Sequence, residues 1–198
     1  MAELTEKEFL QNVKDHQLQI VRDDGVYRHL LFAEPGTNNG SFELITWPGY
    51  LCYCGDMGTF VFSRLQDMFE FFRDQTDRGG LSINTGYWGK KCEAVDKCDG
   101  IRTYSPEAFR QVVKEEFEES DFYHSVEILE ALENDVLSYA DDGEYEARRA
   151  AENFECAGFR FHDFWERTLT VKSGRFVWCC YALAWGIQLY DQSKSEVS

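Results

Sequence analysis

Apolar residues recur at two different periods along this chain. Near the start, Phe9, Leu10 and Val13 follow Thr5-x-x-Glu8, a capping box, with Leu4 and Phe9 placed as a hydrophobic staple. This predicts a helix ending near Asp15. From Leu18 the period becomes two. Leu18 and Ile20, the Asp23-Asp24-Gly25 turn, and Val26-Tyr27 predict a β-hairpin. Glu34 to Gly40 is rich in turn formers and predicts a loop. Three strands of a meander follow: Phe42–Trp47, Tyr50–Cys54 and Thr59–Phe62. Pro48-Gly49 and Gly55-Asp56-Met57-Gly58 supply the turns.

The helical period then returns. Leu65, Met68, Phe69 and Phe72 stand at i, i+3, i+4 and i+7, with Ser63 as the expected cap, Gln66 closing the box, and a stop before Gly79-Gly80. Leu81 to Gly100 shows no periodicity and is expected to be an irregular loop with a local basic cluster of Lys90, Lys91 and Lys97. Ser105-Pro106-Glu107 is an N-cap with proline at the first helical position, leading to Phe109, Val112, Val113 and Phe117 as a buried face. A second helix is expected from Asp121 or Ser125, with Val126, Ile128, Leu129, Leu132 and Val136 inward and Glu127, Glu130 and Glu133 outward. A third runs over Glu144–Glu155. Phe176–Ile187 is twelve residues without a strongly polar side chain, too short to span a bilayer and expected as a helix buried on all sides. The order of elements predicts an α+β fold, a small antiparallel β-meander packed with helices and a helical C-terminal half around a buried central helix. One domain over residues 1–198 is expected, with 1–104 mostly meander and helices and 105–198 the helical acidic half.

Composition supports a folded protein, with 43% hydrophobic and 16% aromatic residues. Met1–Glu8 has neither a basic stretch nor an apolar one, so no signal peptide is expected and a cytoplasmic location is. The cysteine count is seven, an odd number in scattered settings, which points to reduced thiols used as small core residues.

Charge changes the picture more. The net charge is −16, and the 32 residues from Glu115 to Glu146 hold 13 Asp/Glu and no Lys or Arg. From Glu107 to Glu155 there are 16 acidic residues against Arg110, Lys114, Arg148 and Arg149, a local balance of −12. Like charges at i+3 and i+4 on a helix cost a few tenths of a kcal/mol per pair, and no lysine relieves them here. Spread along helix, these charges fall roughly one per 3.7 Å, against about 3.4 Å along one DNA strand. A surface of that density fits a basic partner and repels nucleic acid and anionic membrane. A solvated face that only keeps the protein soluble has the same composition. The residues that would carry a partner interaction are Glu115, Glu116, Glu118, Glu119, Glu127, Glu130, Glu133, Asp135, Asp141 and Asp142.

Other candidate chemistry is thin. Cys52-x-Cys54 with Cys92 and Cys98 has poor spacing for structural zinc, and core thiols suit it better. His16, His29, His124 and His162 form no metal-binding pattern. His162-Asp163, near Trp165 and Glu166, could make an acid–base pair, though a polar edge on an aromatic segment accounts for it too. No phosphate-binding glycine loop or nucleophile elbow occurs, and Asp141-Asp142-Gly143 is too short for a calcium loop. No catalytic residue, cofactor or metal is assigned.

The segments Phe42–Cys52 with Gly55–Phe62, and Phe176–Ile187, resemble a family of uncharacterised accessory proteins encoded by phages and prophages of Gram-negative bacteria. The resemblance implies a bacterial host cell and a role in countering host defence, a setting in which acidic mimics of DNA occur. It brings no catalytic residues. The expectation is an inhibitor of a nucleic-acid-binding defence complex (a CRISPR effector, a restriction enzyme or a nuclease) acting through the acidic helices. The alternative is a small enzyme or small-molecule-binding protein with a pocket around Trp47, Tyr50, Cys54, Asp56 and Tyr87-Trp88. A regulatory subunit with a basic partner that binds no nucleic acid is a third possibility.

Overall fold

The computed structural model describes residues 4–73 and 80–195. In chain order the elements are α1 (Glu6–Asn12), β1 (Gln17–Asp24), β2 (Tyr27–Ala33), β3 (Phe42–Trp47), β4 (Tyr50–Gly55), β5 (Gly58–Ser63), α2 (Met68–Phe72), α3 (Thr85–Gly89), β6 (Cys92–Ala94), β7 (Arg102–Tyr104), α4 (Pro106–Glu118), α5 (Val126–Asp135), a 3₁₀ turn (Leu137–Asp142), α6 (Glu144–Glu152), β8 (Glu155–Cys156), β9 (Phe159–Arg160), a short 3₁₀ turn (Phe164–Glu166), β10 (Thr170–Lys172) and α7 (Gly174–Ser195). The fold is α+β. The chain divides into two compact units, residues 1–101 with 172–198, and residues 102–171.

The first unit is a six-stranded antiparallel meander, β1 to β6 in sequence order. The capping box at Thr5 is present: the Glu8 amide donates to Thr5 Oγ1 and the Thr5 amide to Glu8 Oε2 at 2.8 Å. Gly25, at φ +60°, opens the two-residue turn between β1 and β2, as a type II′ loop requires. Alternation of period two sends Leu30, Phe32, Phe42, Leu44, Leu51, Tyr53, Phe60 and Phe62 to one face, where all are fully or nearly fully buried. The lid over that face is α7, whose residues Phe176 to Cys180 are buried without a break. Phe9 of α1 closes the side, edge-on to Trp178 at 5.1 Å and stacked on Tyr181 at 5.6 Å. At Gly186 α7 packs tightly on the sheet, where a β-carbon would lie 3.0 Å from Phe32 and 3.1 Å from Leu44. Arg73 forks onto Asp191 at 2.8 and 2.9 Å, tying the end of α2 to α7.

Three expectations change here. The helix after β5 is only five residues long and is capped by Asp67, whose carboxylate accepts the Phe69 amide at 2.9 Å. Ser63 is instead the last ladder residue of β5, opposite Tyr50, and its amide is held by Lys91 O. The amides of Arg64 and Leu65 turn onto the Met68 sulfur, so Leu65 is left in solvent. The expected stop at Gly79 lies outside the described residues. Leu81–Gly100 is not irregular: Asn84 caps α3 by accepting the Tyr87 amide at 2.9 Å, and β6 adds a sixth strand beside β5. Finally, α7 is grouped with the sheet and not with the acidic helices, so the helical half beginning at residue 105 does not coincide with the second unit. Among the described residues no helix is long and apolar enough to cross a membrane.

The second unit is three helices around a phenylalanine cluster. Phe109, Val113 and Phe117 of α4 meet Ile128 and Leu132 of α5, Ala147 and Ala151 of α6, and Phe154, Phe159, Phe161 and Phe164 of the segment beyond. Phe159 lies within 5.1 Å of Phe161, 5.8 Å of Phe117 and 6.2 Å of Phe154, ring centre to ring centre. β7 pairs with β10. The Tyr104 hydroxyl donates to Ala140 O at 2.8 Å, and burial pushes its pKa up to about 12.

In α5 the expected inward set splits. Ile128, Leu132 and Val136 are buried, but Val126 and Leu129 face solvent. At about 100° per residue Leu129 lies about 100° and Val126 about 160° around the helix from Ile128, so both fall at or beyond the edge of the face that Ile128 and Leu132 bury, while Val136 is the cap and lies outside the helix.

Candidate functional site

The second unit carries 18 Asp/Glu against seven Lys/Arg, so −11 of the chain's −16 resides in its 70 residues. Its scaffold is set by ordinary capping and packing. Ser105 Oγ accepts the Ala108 amide at 3.1 Å, Pro106 starts α4, and Phe109, Val113 and Phe117 turn inward. Glu115, Glu118 and Glu119 must then point outward, and they are exposed. Ser125 caps α5 in the same way, leaving Glu127, Glu130, Glu133 and Asp135 exposed.

The cations of this unit are mostly committed. Arg148 donates to Glu144 at 2.8 Å and to the carbonyls of Phe164, Trp165 and Arg167, so it staples α6 to the 164–167 turn. Arg149 pairs with Glu146 at 3.3 Å, Arg110 with Asp141, and Arg167 with Glu116. Lys114 lies 3.6 Å from Glu118. Two of the ten expected carriers are therefore already partnered by arginine. Glu116 is largely covered and serves as an internal ion pair, whereas Asp141 keeps an exposed side chain. Glu115 accepts from Gln111 at 2.6 Å. Among the described residues, Glu119, Glu127, Glu130, Glu133, Asp135 and Asp142 have no ion-pair partner.

Position along the helices matters as much as number. The last turn of α4 contains Glu115, Glu116 and Glu118, with Glu119 as its cap, and no basic residue. The last turn of α5 ends on Glu133 and Asp135, again with no basic residue. A helix C-terminus carries about half a negative charge, so each anion there costs about 0.3–1 kcal/mol relative to a cation. Repulsion at i+3 and i+4 adds to that. Glu107, Glu127, Glu144 and Glu146 sit instead at helix N-termini, where the dipole favours them.

Of the residues named for the alternative site, Trp47 and Tyr50 flank the β3–β4 turn, Asp56 lies in the β4–β5 turn and Tyr87-Trp88 in α3. Trp47 stacks on Tyr50 at 5.4 Å, both partly exposed. Cys54 stands opposite Glu43, which holds His29 across β2 and β3, and Asp56 accepts the Gly40 amide in a turn. Tyr87 faces outward while Trp88 is buried edge-on to Phe72 at 4.9 Å. A hollow of about 450 Å³ is lined by Gln17, Gln19, Leu31 and the loop from Glu34 to Asn38, and another of about 300 Å³ by Asp135, Tyr139, Glu146, Arg149 and Asn153. None of the alternative's residues lines either.

The seven cysteines are free thiols, with Cys179 and Cys180 fully buried and Cys98 exposed. Cys52 is on the face of the sheet away from α7, while Cys92 turns to the core side and is raised to about 11 by burial. Among the described residues no three His, Cys, Asp or Glu side chains are grouped to hold a metal ion. His16 Nε2 lies 3.0 Å from Gly40 O, and His124 packs on Tyr123. His162 and Asp163 are exposed, and Asp163 adopts φ +51° at the start of a 3₁₀ turn. Among the exposed apolar residues of the second unit, Val126 and Leu129 are the two that sequence patterning assigned to the core. Comparison with protein-family models, with curated proteins and with solved structures yields no match.

Proposed function

We propose that this protein is a stoichiometric inhibitor that occupies the basic nucleic-acid channel of a partner protein with the acidic surface of α4 and α5. The observation that carries the proposal is the placement of carboxylates without an ion-pair partner at the C-terminal ends of both helices, Glu119 at α4 and Glu133 and Asp135 at α5. Solubility needs charge but not charge in the two places where it costs helix stability most. A surface kept at a cost to the fold is expected where it serves recognition. The resemblance to phage accessory proteins supports a host defence complex as the target, whether a CRISPR effector, a restriction enzyme or another nuclease. The role of the first unit is to carry the second.

The mechanism is Coulombic competition. The carboxylates take the positions that phosphates take in the channel, and the protein itself binds no nucleic acid. Titrating target activity at two ionic strengths tests this. Inhibition reaching completion near one equivalent, weaker at high salt, is the expected result. Inhibition by far less than one equivalent, growing with time and indifferent to salt, would replace the proposal with an enzymatic one.

A further inference from the structure

The solvent face of α5 is not uniformly acidic. Val126, Leu129, Glu130 and Glu133 stand at i, i+3, i+4 and i+7, one stripe on the side away from Ile128 and Leu132. Val126 is 67% exposed and Leu129 47%. One such residue is ordinary on any surface. Here, however, Phe122 and Tyr123, in the turn that leads into α5, are also exposed. Four large apolar side chains therefore reach solvent within eight residues, bordered by Glu118, Glu119 and Asp121 before them and Glu127, Glu130 and Glu133 among and after them.

Charge mimicry alone has no use for Val126 and Leu129. Protein recognition does, because affinity comes from a few desolvated apolar anchors inside a polar rim. The rim fixes the sign of the occupant: an acidic border selects Lys and Arg and rejects nucleic acid. The backbone fixes its form. α5 and its leading turn offer no unpaired strand edge for an extended peptide to join, whereas a ridge with i, i+3 spacing packs against a second helix. We infer that this stripe docks a basic amphipathic helix of the partner protein, its apolar side chains on Val126, Leu129, Phe122 and Tyr123 and its flanking Lys and Arg on the carboxylates. The inference rests on the acidic-surface reading, which supplies the charged half of the contact.

Two fluorescent peptides of Lys and Leu test it, each about 18 residues or five turns long. They share one composition; one is patterned at the helical period and the other is scrambled. Each is titrated into the full chain by anisotropy. The patterned peptide is expected to bind about tenfold more tightly than the scrambled one, a difference that burying two aliphatic side chains supplies. The double variant V126S/L129S should lower the patterned peptide to the scrambled level and leave the scrambled one unchanged. Leu129→Gln alone, confirmed as folded by circular dichroism, should give part of the loss. Equal binding of both peptides, or undiminished binding by the serine variant, overturns the inference. If in that case binding is still lost on reversing Glu115, Glu118 and Glu119, the acidic-surface reading stands without it. Binding of neither peptide overturns both.

Discussion

Arg28 meets Asp67 through two parallel hydrogen bonds, Nη1 to Oδ1 at 2.9 Å and Nη2 to Oδ2 at 2.8 Å, while its guanidinium lies 4.6 Å above the Phe69 ring. The pair joins β2 to the cap of α2, and Arg28 is buried. Burial works to raise the Asp67 carboxyl, but the hydrogen bonds from Arg28 and the Phe69 amide outweigh it and hold the group below its ordinary value of 3.8. A depressed carboxylate contributes stability in full above its unfolded value, and that contribution disappears as pH falls through the folded value. Wild type is therefore expected to lose this contribution progressively below about pH 4. Asp67→Asn should cost about 3 kcal/mol near neutral pH, because it leaves a buried guanidinium without its charge partner, and should flatten the acid limb. Urea unfolding across the pH range measures both. An acid limb as steep in the variant as in wild type would assign the loss to other carboxylates.

Reversing Glu115, Glu118 and Glu119 to Lys should abolish partner binding and leave the far-ultraviolet circular dichroism unchanged, since all three face solvent. The same reversal at Glu116 is not equivalent. It would set a lysine against Arg167 at a largely covered position and should destabilise the second unit.

Single substitutions Glu119→Lys and Glu133→Lys should each stabilise the free protein by about 0.3–1 kcal/mol, because each puts a cation where the helix dipole favours one. Raising salt from about 0.05 to 0.5 M should raise the melting temperature of wild type and do so less in these variants, since screening removes repulsion they already lack. A fall on both substitutions would mean that the carboxylates have favourable partners in solution.

Gly186→Val should destabilise by about 1–3 kcal/mol through overpacking against Phe32 and Leu44. Gly186→Ala should cost far less, because about 1 kcal/mol of helix propensity offsets the tighter contact. Thermal unfolding of the two variants separates packing from propensity.

The elements that sequence patterning anticipated are those whose signals are local and agree with one another. Thr5 with Glu8, Ser105 with Pro106, and the alternation from Phe42 to Phe62 each combine a terminator with a period, and each element lies where expected. What was missed depends on distant partners. Ser63 is as good a cap as Asp67 by composition, and only its pairing with β4 and Lys91 removes it from that role. β6 has three residues and exists because β5 offers an edge. In α5 two apolar phases compete, and the phenylalanine cluster decides between them. Among the carboxylates, density and exposure were legible, but the withdrawal of Glu116 into an ion pair with Arg167 required knowing that residues 51 apart in sequence meet.

The order of synthesis gives the placement of α7 a further meaning. The last strand of the meander ends at Ala94, and the helix that covers the sheet's apolar face begins only at Gly174. Some 80 residues separate them, on the order of ten seconds of translation. Throughout that interval Phe32, Phe42, Leu44, Tyr53, Phe60 and Phe62 emerge from the ribosome without α7 to cover them. The nascent chain is thus exposed to aggregation and to chaperones throughout that part of its synthesis, and a ribosome stalled there releases a meander whose apolar face lacks its main covering helix.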